Sequence, residues 1–205
     1  MIRIRTLMQS LAAVMGTLAL GSAVQAQPGT TVDAGDWPNI HGSHTTDRYS
    51  PLDQINADNV ADLEIAWRFN TSSFGTSTDF NNPSTPLEIN GVLYANIANT
   101  RNVVALDATT GQVLWLYRYQ EGDRFDEAPR KGAGRGVSFW SDGNESRVLD
   151  VSPGYQLVSL DADTGIPDPN FGNNGKVDLY EGLRNADDPR YKYPDIGLSA
   201  PPFVM

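Results

Sequence analysis

The chain contains no cysteine. This excludes a disulfide, a thiol nucleophile, a zinc–cysteine site and a C-x-x-C-H haem attachment within these residues. Stability therefore has to come from packing and sheet hydrogen bonds. Basic residues are scarce as well. Fifteen Lys and Arg face 25 Asp and Glu, a formal net charge of -10. A surface of that sign repels nucleic acid and anionic membrane, so neither is expected as a partner. Histidine is limited to His41 and His44. Their H-x-x-H spacing falls on an expected loop rather than a helix face, so no metal site is expected there. The glycine-rich run from Lys131 to Gly136 lacks the G-K-[ST] ending of a phosphate loop, and a strand pattern rather than a helix follows it.

Long apolar runs are missing too, with one exception at the start. Arg3 and Arg5 precede a mostly apolar stretch from Leu7 to Leu20, and Val24-Gln25-Ala26 offers small residues for cleavage. The stretch is shorter than the ~20 residues a spanning helix needs. It reads as a secretory signal peptide over residues 1–26, with cleavage after Ala26. A retained membrane anchor is the competing reading. The remainder holds no second hydrophobic segment, so no transmembrane segment is expected in the mature part. Residues 27–35 read as a small-residue linker.

From there turn residues dominate, with 19 Gly and 13 Pro, while 40% hydrophobic residues suffice for a core. Asp58-Asn59-Val60 looks like a short helix start, with Asn56 or Asp58 as cap. Leu63 to Phe69 alternates apolar and polar residues, which is a strand pattern. Strands are expected at 86–89, 92–97, 102–106 and 113–119. Asn90-Gly91 gives the first hairpin, because both residues tolerate positive φ. The pattern then recurs, with strands at 136–140, 147–151 and 157–160. Ala105-Leu106-Asp107-Ala108-Thr109-Thr110-Gly111 returns as Ser159-Leu160-Asp161-Ala162-Asp163-Thr164-Gly165, 54 residues later. In each copy the aspartate can accept bonds from backbone N–H groups further along the turn, and the glycine supplies positive φ. A repeat of that length suits a four-stranded propeller blade with a longer loop. Ser199-Ala200-Pro201-Pro202-Phe203-Val204 echoes the segment from Ser84 to Leu87 and reads as the start of a third unit. The fold class is therefore all-β, a partial β-propeller of about two blades plus the start of a third, over residues 36–205.

Ala105, Asp107, Gly111 and Trp115 stand at A-x-D-x-x-x-G-x-x-x-W spacing. This resembles the tryptophan-docking motif of the pyrroloquinoline quinone (PQQ) dehydrogenases, which are eight-bladed periplasmic propellers. Asp36-Trp37-Pro38, Gly42, Arg48-Tyr49-Ser50-Pro51-Leu52, Gln54-Ile55-Asn56, Asn59-Val60, Leu63 and Ala66-Trp67 resemble that family's N-terminal signature. Arg135-Gly136-Val137-Ser138-Phe139-Trp140 resembles its R-G-x-x-Y-W segment. Phe171 to Leu179 is similar to a stretch of the sugar and polyol members.

The resemblance implies an oxidoreductase that oxidises a sugar, polyol or alcohol with PQQ and Ca²⁺. Electrons would pass to a quinone or cytochrome c outside the inner membrane. It implies three cofactor-binding residues here. Arg135 would pair with a PQQ carboxylate, Ser152 would offer a hydroxyl, and Asn82 lies where the first blade approaches the cofactor. Lys131, Gly132 and Gly134 would let the loop come close to it. The Ca²⁺ ligands, the base and the tryptophan floor under PQQ are expected beyond Met205, so this polypeptide alone is expected to be inactive. Two departures stand out. Many members carry Glu where this chain has Pro83, and the methanol and ethanol types carry adjacent cysteines. Both point toward the sugar and polyol side, or toward a divergent member. A non-enzymatic propeller scaffold that binds protein partners would share the docking motif. It would need neither Arg135 nor the N-terminal signature. Trp67, Trp115 and Trp140 are expected to pack rather than to carry the cofactor.

Overall fold

In the computed structural model, residues 35–77, 81–184, 186, 188 and 195–204 are described. The expected signal peptide and nearly all of the linker lie outside these residues. The chain forms two four-stranded antiparallel sheets. The first comprises β1 (Leu87–Ile89), β2 (Val92–Ile97), β3 (Asn102–Asp107) and β4 (Val113–Tyr117). The second comprises β5 (Ser138–Ser141), β6 (Ser146–Val151), β7 (Gln156–Asp161) and β8 (Lys176–Asp178). Strand order follows chain order in both sheets. Each is thus a meander, the arrangement of a propeller blade. Only β8 was not foreseen as a strand. Its single exposed apolar residue, Val177, gives a three-residue edge strand almost no pattern to read.

The hairpins form where the turn chemistry places them. Asn90 and Gly91 adopt φ of 51° and 79° between β1 and β2. In the turn after β3, Asp107 Oδ1 accepts both the backbone N–H and the hydroxyl of Thr110, each at 2.7 Å. Asp161 Oδ1 does the same for Thr164 after β7, at 2.9 and 2.7 Å. Gly111 and Gly165 follow at φ of 71° and 69°. The Thr110 bonds hold the Asp107 carboxyl below its ordinary range.

Period-two alternation divides the core. Leu87, Ile89, Tyr94, Val103, Ala105 and Trp115 of the first sheet pack against Val137, Val148, Val158, Leu160 and Ala162 of the second. On the opposite face of the first sheet, Ala95, Ile97, Val104 and Leu106 are covered by Trp67, Phe69 and Phe74. β2 and β3 are thus apolar on both faces, which is why they read as nearly continuous hydrophobic runs.

The two tryptophan contacts repeat. The Trp115 indole lies on Gly165, where an added Cβ would come within 2.5 Å of its ring. Its Nε1 donates to Ala162 O at 2.8 Å. Trp67 lies on Gly111 in the same way, at 2.6 Å, and donates to Ala108 O at 3.0 Å.

Three expectations need correction. Residues 63–69 are not a strand, although Trp67 occupies the same place relative to the first sheet as Trp115 of β4 does relative to the second. The segment has no ladder partner among the described residues, and a strand exists only as half of a pair. Leu63 and Ile65 consequently stand 59% and 64% exposed. The helix near Asp58 is a single 3₁₀ turn, Val60–Asp62, with Asn59 at its cap position. Asn56 instead accepts the Asp58 N–H through Oδ1 at 2.9 Å. Residues 199–204 run beside β5 without forming a strand, because Ala200-Pro201-Pro202 includes two residues that lack an N–H. The contacts there are Arg135 N–H to Ser199 O, at 2.7 Å, and the Ser138 hydroxyl to Pro202 O.

Candidate functional site

The loop from α1 (Asp123–Asp126) to β5 carries Arg135. The backbone of Arg135 is pinned from both sides. Its N–H donates to Ser199 O at 2.7 Å, and its C=O accepts the Thr85 N–H at 3.0 Å. Gly136 lets this happen. It adopts φ of 140°, and a Cβ there would sit 2.8 Å from Thr85 O. The Arg135 side chain is exposed. Among the described residues no carboxylate forms an ion pair with it. A guanidinium held by its backbone and left unpaired suits a carboxylate ligand, which it can take in bidentate fashion.

Asn82 is also exposed, and its Oδ1 accepts the Ser84 N–H at 3.1 Å. It lies in the segment that Thr85 ties to Arg135, so the two residues belong to one locality. Ser152 differs. It is fully buried at the end of β6, and its hydroxyl donates to Glu121 Oε1 at 2.6 Å while accepting the Gln156 N–H at 3.0 Å. Glu121 Oε2 also accepts the Gly154 N–H at 2.9 Å. A protein carboxylate thus already sits on the hydroxyl and N–H of this turn. Lys131 bonds Asp126 O. Gly134 is spent on packing, because a Cβ there would lie 2.9 Å from Asn96 Oδ1. Gly132 has open space and a φ of 88°. His41 Nδ1 lies 3.4 Å from Arg48 Nη2, and His44 packs on the Phe203 ring. Among the described residues no three His, Asp or Glu side chains cluster as a metal site would need.

Behind these residues lies a buried polar group that sequence reasoning missed. Asp150 Oδ2 accepts both the Tyr119 hydroxyl, at 2.7 Å, and Asn96 Nδ2, at 3.0 Å. Burial raises the Asp150 carboxyl to about 6 and pushes the Tyr119 hydroxyl well above its usual range. Among the described residues Asn96 Oδ1 is buried with no hydrogen-bond partner. Asn96 and Asp150 are equivalent positions of the two units, 54 residues apart. The repeat was readable, but the contact between its copies was not. Arg101 completes the group. It is 1% exposed, and burial lowers its basicity while the nearby Asp150 opposes that shift.

The fold is an all-β repeat of two four-stranded meanders, with Arg135 exposed on a backbone held by Thr85 and Ser199. The family whose sequence model matches residues 37–205 is described as "PQQ: Glucose/ethanol/alcohol dehydrogenase, beta-propeller domain". The chain belongs to that family. It is 36% identical over 180 residues to a quinoprotein glucose dehydrogenase of Gluconobacter oxydans, an alignment that covers 78% of this chain and 21% of the relative. It is 28% identical to the glycerol dehydrogenase large subunit of Gluconobacter thailandicus, covering 89% and 25%. Among solved structures it resembles a quinohemoprotein alcohol dehydrogenase from Pseudomonas putida, with a TM-score of 0.63 and 26% identity over 84% of this chain and 22% of that one. The chain thus spans between a fifth and a quarter of the length of these relatives.

Proposed function

We propose that these residues form the first two blades of a periplasmic PQQ-dependent dehydrogenase that oxidises a sugar, polyol or alcohol. Its electrons would pass to a quinone or cytochrome c. The observation that carries this reading is Arg135, whose backbone is held between Thr85 and Ser199 while its exposed guanidinium pairs with no carboxylate among the described residues. When bound, PQQ supplies an o-quinone that accepts two electrons from the substrate carbon. In this reading Arg135 binds one of the cofactor's carboxylates and Asn82 offers an amide to its edge. Ser152 would reach it only by exchanging its Glu121 partner. Ca²⁺ would be held by residues outside those described here. The exposed Pro83 brings no charge to the first blade, which leaves Arg135 as the charged contact.

Titration of PQQ into the natural full-length polypeptide, followed by quenching of tryptophan fluorescence, tests this reading. Arg135→Gln should weaken binding about tenfold or more, since a charge-assisted bidentate contact is lost. Arg135→Lys should recover only part, because an ammonium cannot reproduce the planar fork. Equal affinity in Arg135→Gln would remove Arg135 from the site. A wild-type protein that binds no PQQ would favour the scaffold reading.

A further inference from the structure

Arg101 donates to none of Arg135, Ser152 and Asn82, yet it is among the most completely bonded side chains in the protein. It closes the turn between β2 and β3 with a positive φ of 54°, its N–H donating to Ala98 O at 3.1 Å. Its guanidinium reaches four backbone carbonyls. Nε donates to Gly132 O at 3.0 Å and Nη2 to Arg130 O at 2.8 Å. Nη1 donates to Val151 O at 3.0 Å and to Leu198 O at 2.6 Å.

These acceptors share a pattern. Arg130 and Gly132 lie in the loop that leads into Arg135. Val151 immediately precedes Ser152. Leu198 immediately precedes Ser199, whose carbonyl receives the Arg135 N–H. The loop into Arg135, the strand end before Ser152 and the segment that accepts the Arg135 N–H are therefore all bonded to one buried cation. Burying a guanidinium is costly unless its donors are satisfied. Packing alone would be served as well by an apolar residue of similar volume. A planar fork of five donors is suited to gather several carbonyls in one plane.

We propose that Arg101 is a positioning residue for the PQQ site: it sets the loop 130–135 and the turn at Ser152 relative to each other, so that Arg135 faces the cofactor. This rests on the function proposed above.

The test uses the natural full-length polypeptide with Arg101→Met and Arg101→Lys. Ile89→Val serves as a control for lost core stability remote from the loop. Three quantities are read: apoprotein Tm, PQQ affinity by fluorescence quenching, and the rate of tryptic cleavage after Arg130 or Lys131. Arg101→Met is expected to weaken PQQ binding about tenfold. It should also speed cleavage at Arg130 and Lys131 several-fold, because the flanking Arg130 and Gly132 carbonyls lose their anchor. Arg101→Lys should fall between, since an ammonium reaches fewer of the four acceptors. Ile89→Val should lower Tm and leave affinity and cleavage at these sites unchanged. Arg101→Lys, which keeps the charge, carries the test if Arg101→Met does not fold. Wild-type affinity in a folded Arg101 variant, or an equal loss in Ile89→Val, overturns the proposal. If Arg135→Gln weakens binding and the Arg101 variants do not, only the positioning role falls. If the wild type binds no PQQ, the functional reading falls and this role with it.

Discussion

Gly165→Ala is expected to destabilise the protein by about 2–5 kcal/mol, although it adds a single methyl group. Two costs combine. The residue sits at φ of 69°, where an L side chain loses roughly 1–2 kcal/mol. The new Cβ would also lie 2.5 Å from the Trp115 ring, and overpacking of that kind costs about 1–3 kcal/mol. Trp115→Ala should cost a similar ~3–5 kcal/mol from the vacated volume. It also leaves Ala162 O without its indole donor. The two changes share one contact and should not add. In the Trp115→Ala background only the backbone term of Gly165→Ala remains, so its effect should shrink by about 1 kcal/mol or more. Urea unfolding of the four proteins of this cycle measures the coupling. Strict additivity would mean that the indole does not dock on the glycine. Gly111→Ala should cost less than Gly165→Ala. Trp67 is only half-buried and can yield outward, whereas Trp115 is 8% exposed and enclosed by Tyr94 and Ala162.

What the sequence revealed and what it concealed divide by the range of the interactions. The D-x-x-T-G turns were legible because all their bonds run within four residues, from Asp107 to Thr110 and Gly111 and again from Asp161 to Thr164 and Gly165. The Asn90-Gly91 hairpin was legible for the same reason. Residues 63–69 showed the right period yet misled, because pairing depends on a partner that no local pattern supplies. Even so, Trp67 docks on Gly111 as Trp115 does on Gly165. Arg135 and Asn82 became visible through resemblance to a family, and both side chains are exposed. Ser152 stood out in the same way, but nothing local told that Glu121, 31 residues away, would bond its hydroxyl. Arg101 was invisible. Its acceptors lie 29, 31, 50 and 97 residues distant, and a lone arginine before a strand looks like any surface cation. Long side chains with many donors act across the fold, so sequence neighbourhood says least about them.

Stability should rise as pH falls from 7.5 to 5, a window in which the other shifted carboxylates contribute no change. The cause is Asp150. Its folded value of about 6 lies above the ordinary 3.8, because burial penalises the charge more than Tyr119, Arg101 and Asn96 repay. Between those two values the folded state holds a proton that the unfolded state has released, so lowering pH favours folding. The gain is about 1.4 kcal/mol between pH 7.5 and 5, and reaches ~3 kcal/mol only below the unfolded value. The carboxylates of Asp107, Asp142, Asp168 and Asp178 are shifted down by their hydrogen bonds. Their contribution is present above the unfolded value and is lost only as pH drops through still lower folded values, so it stays constant above pH 5. Asp150→Asn isolates the effect. An asparagine still accepts the Tyr119 hydroxyl, and its amide can donate to Asn96 Oδ1, the oxygen now buried without a partner. Urea unfolding at pH 5 and 7.5 should give a difference in the wild type that disappears in Asp150→Asn. If both proteins respond equally to pH, the carboxyl is already charged at pH 5. Arg101 would then compensate it far more strongly than burial penalises it, and the cation that gathers the loops would also be the counter-ion that keeps the buried acid ionised.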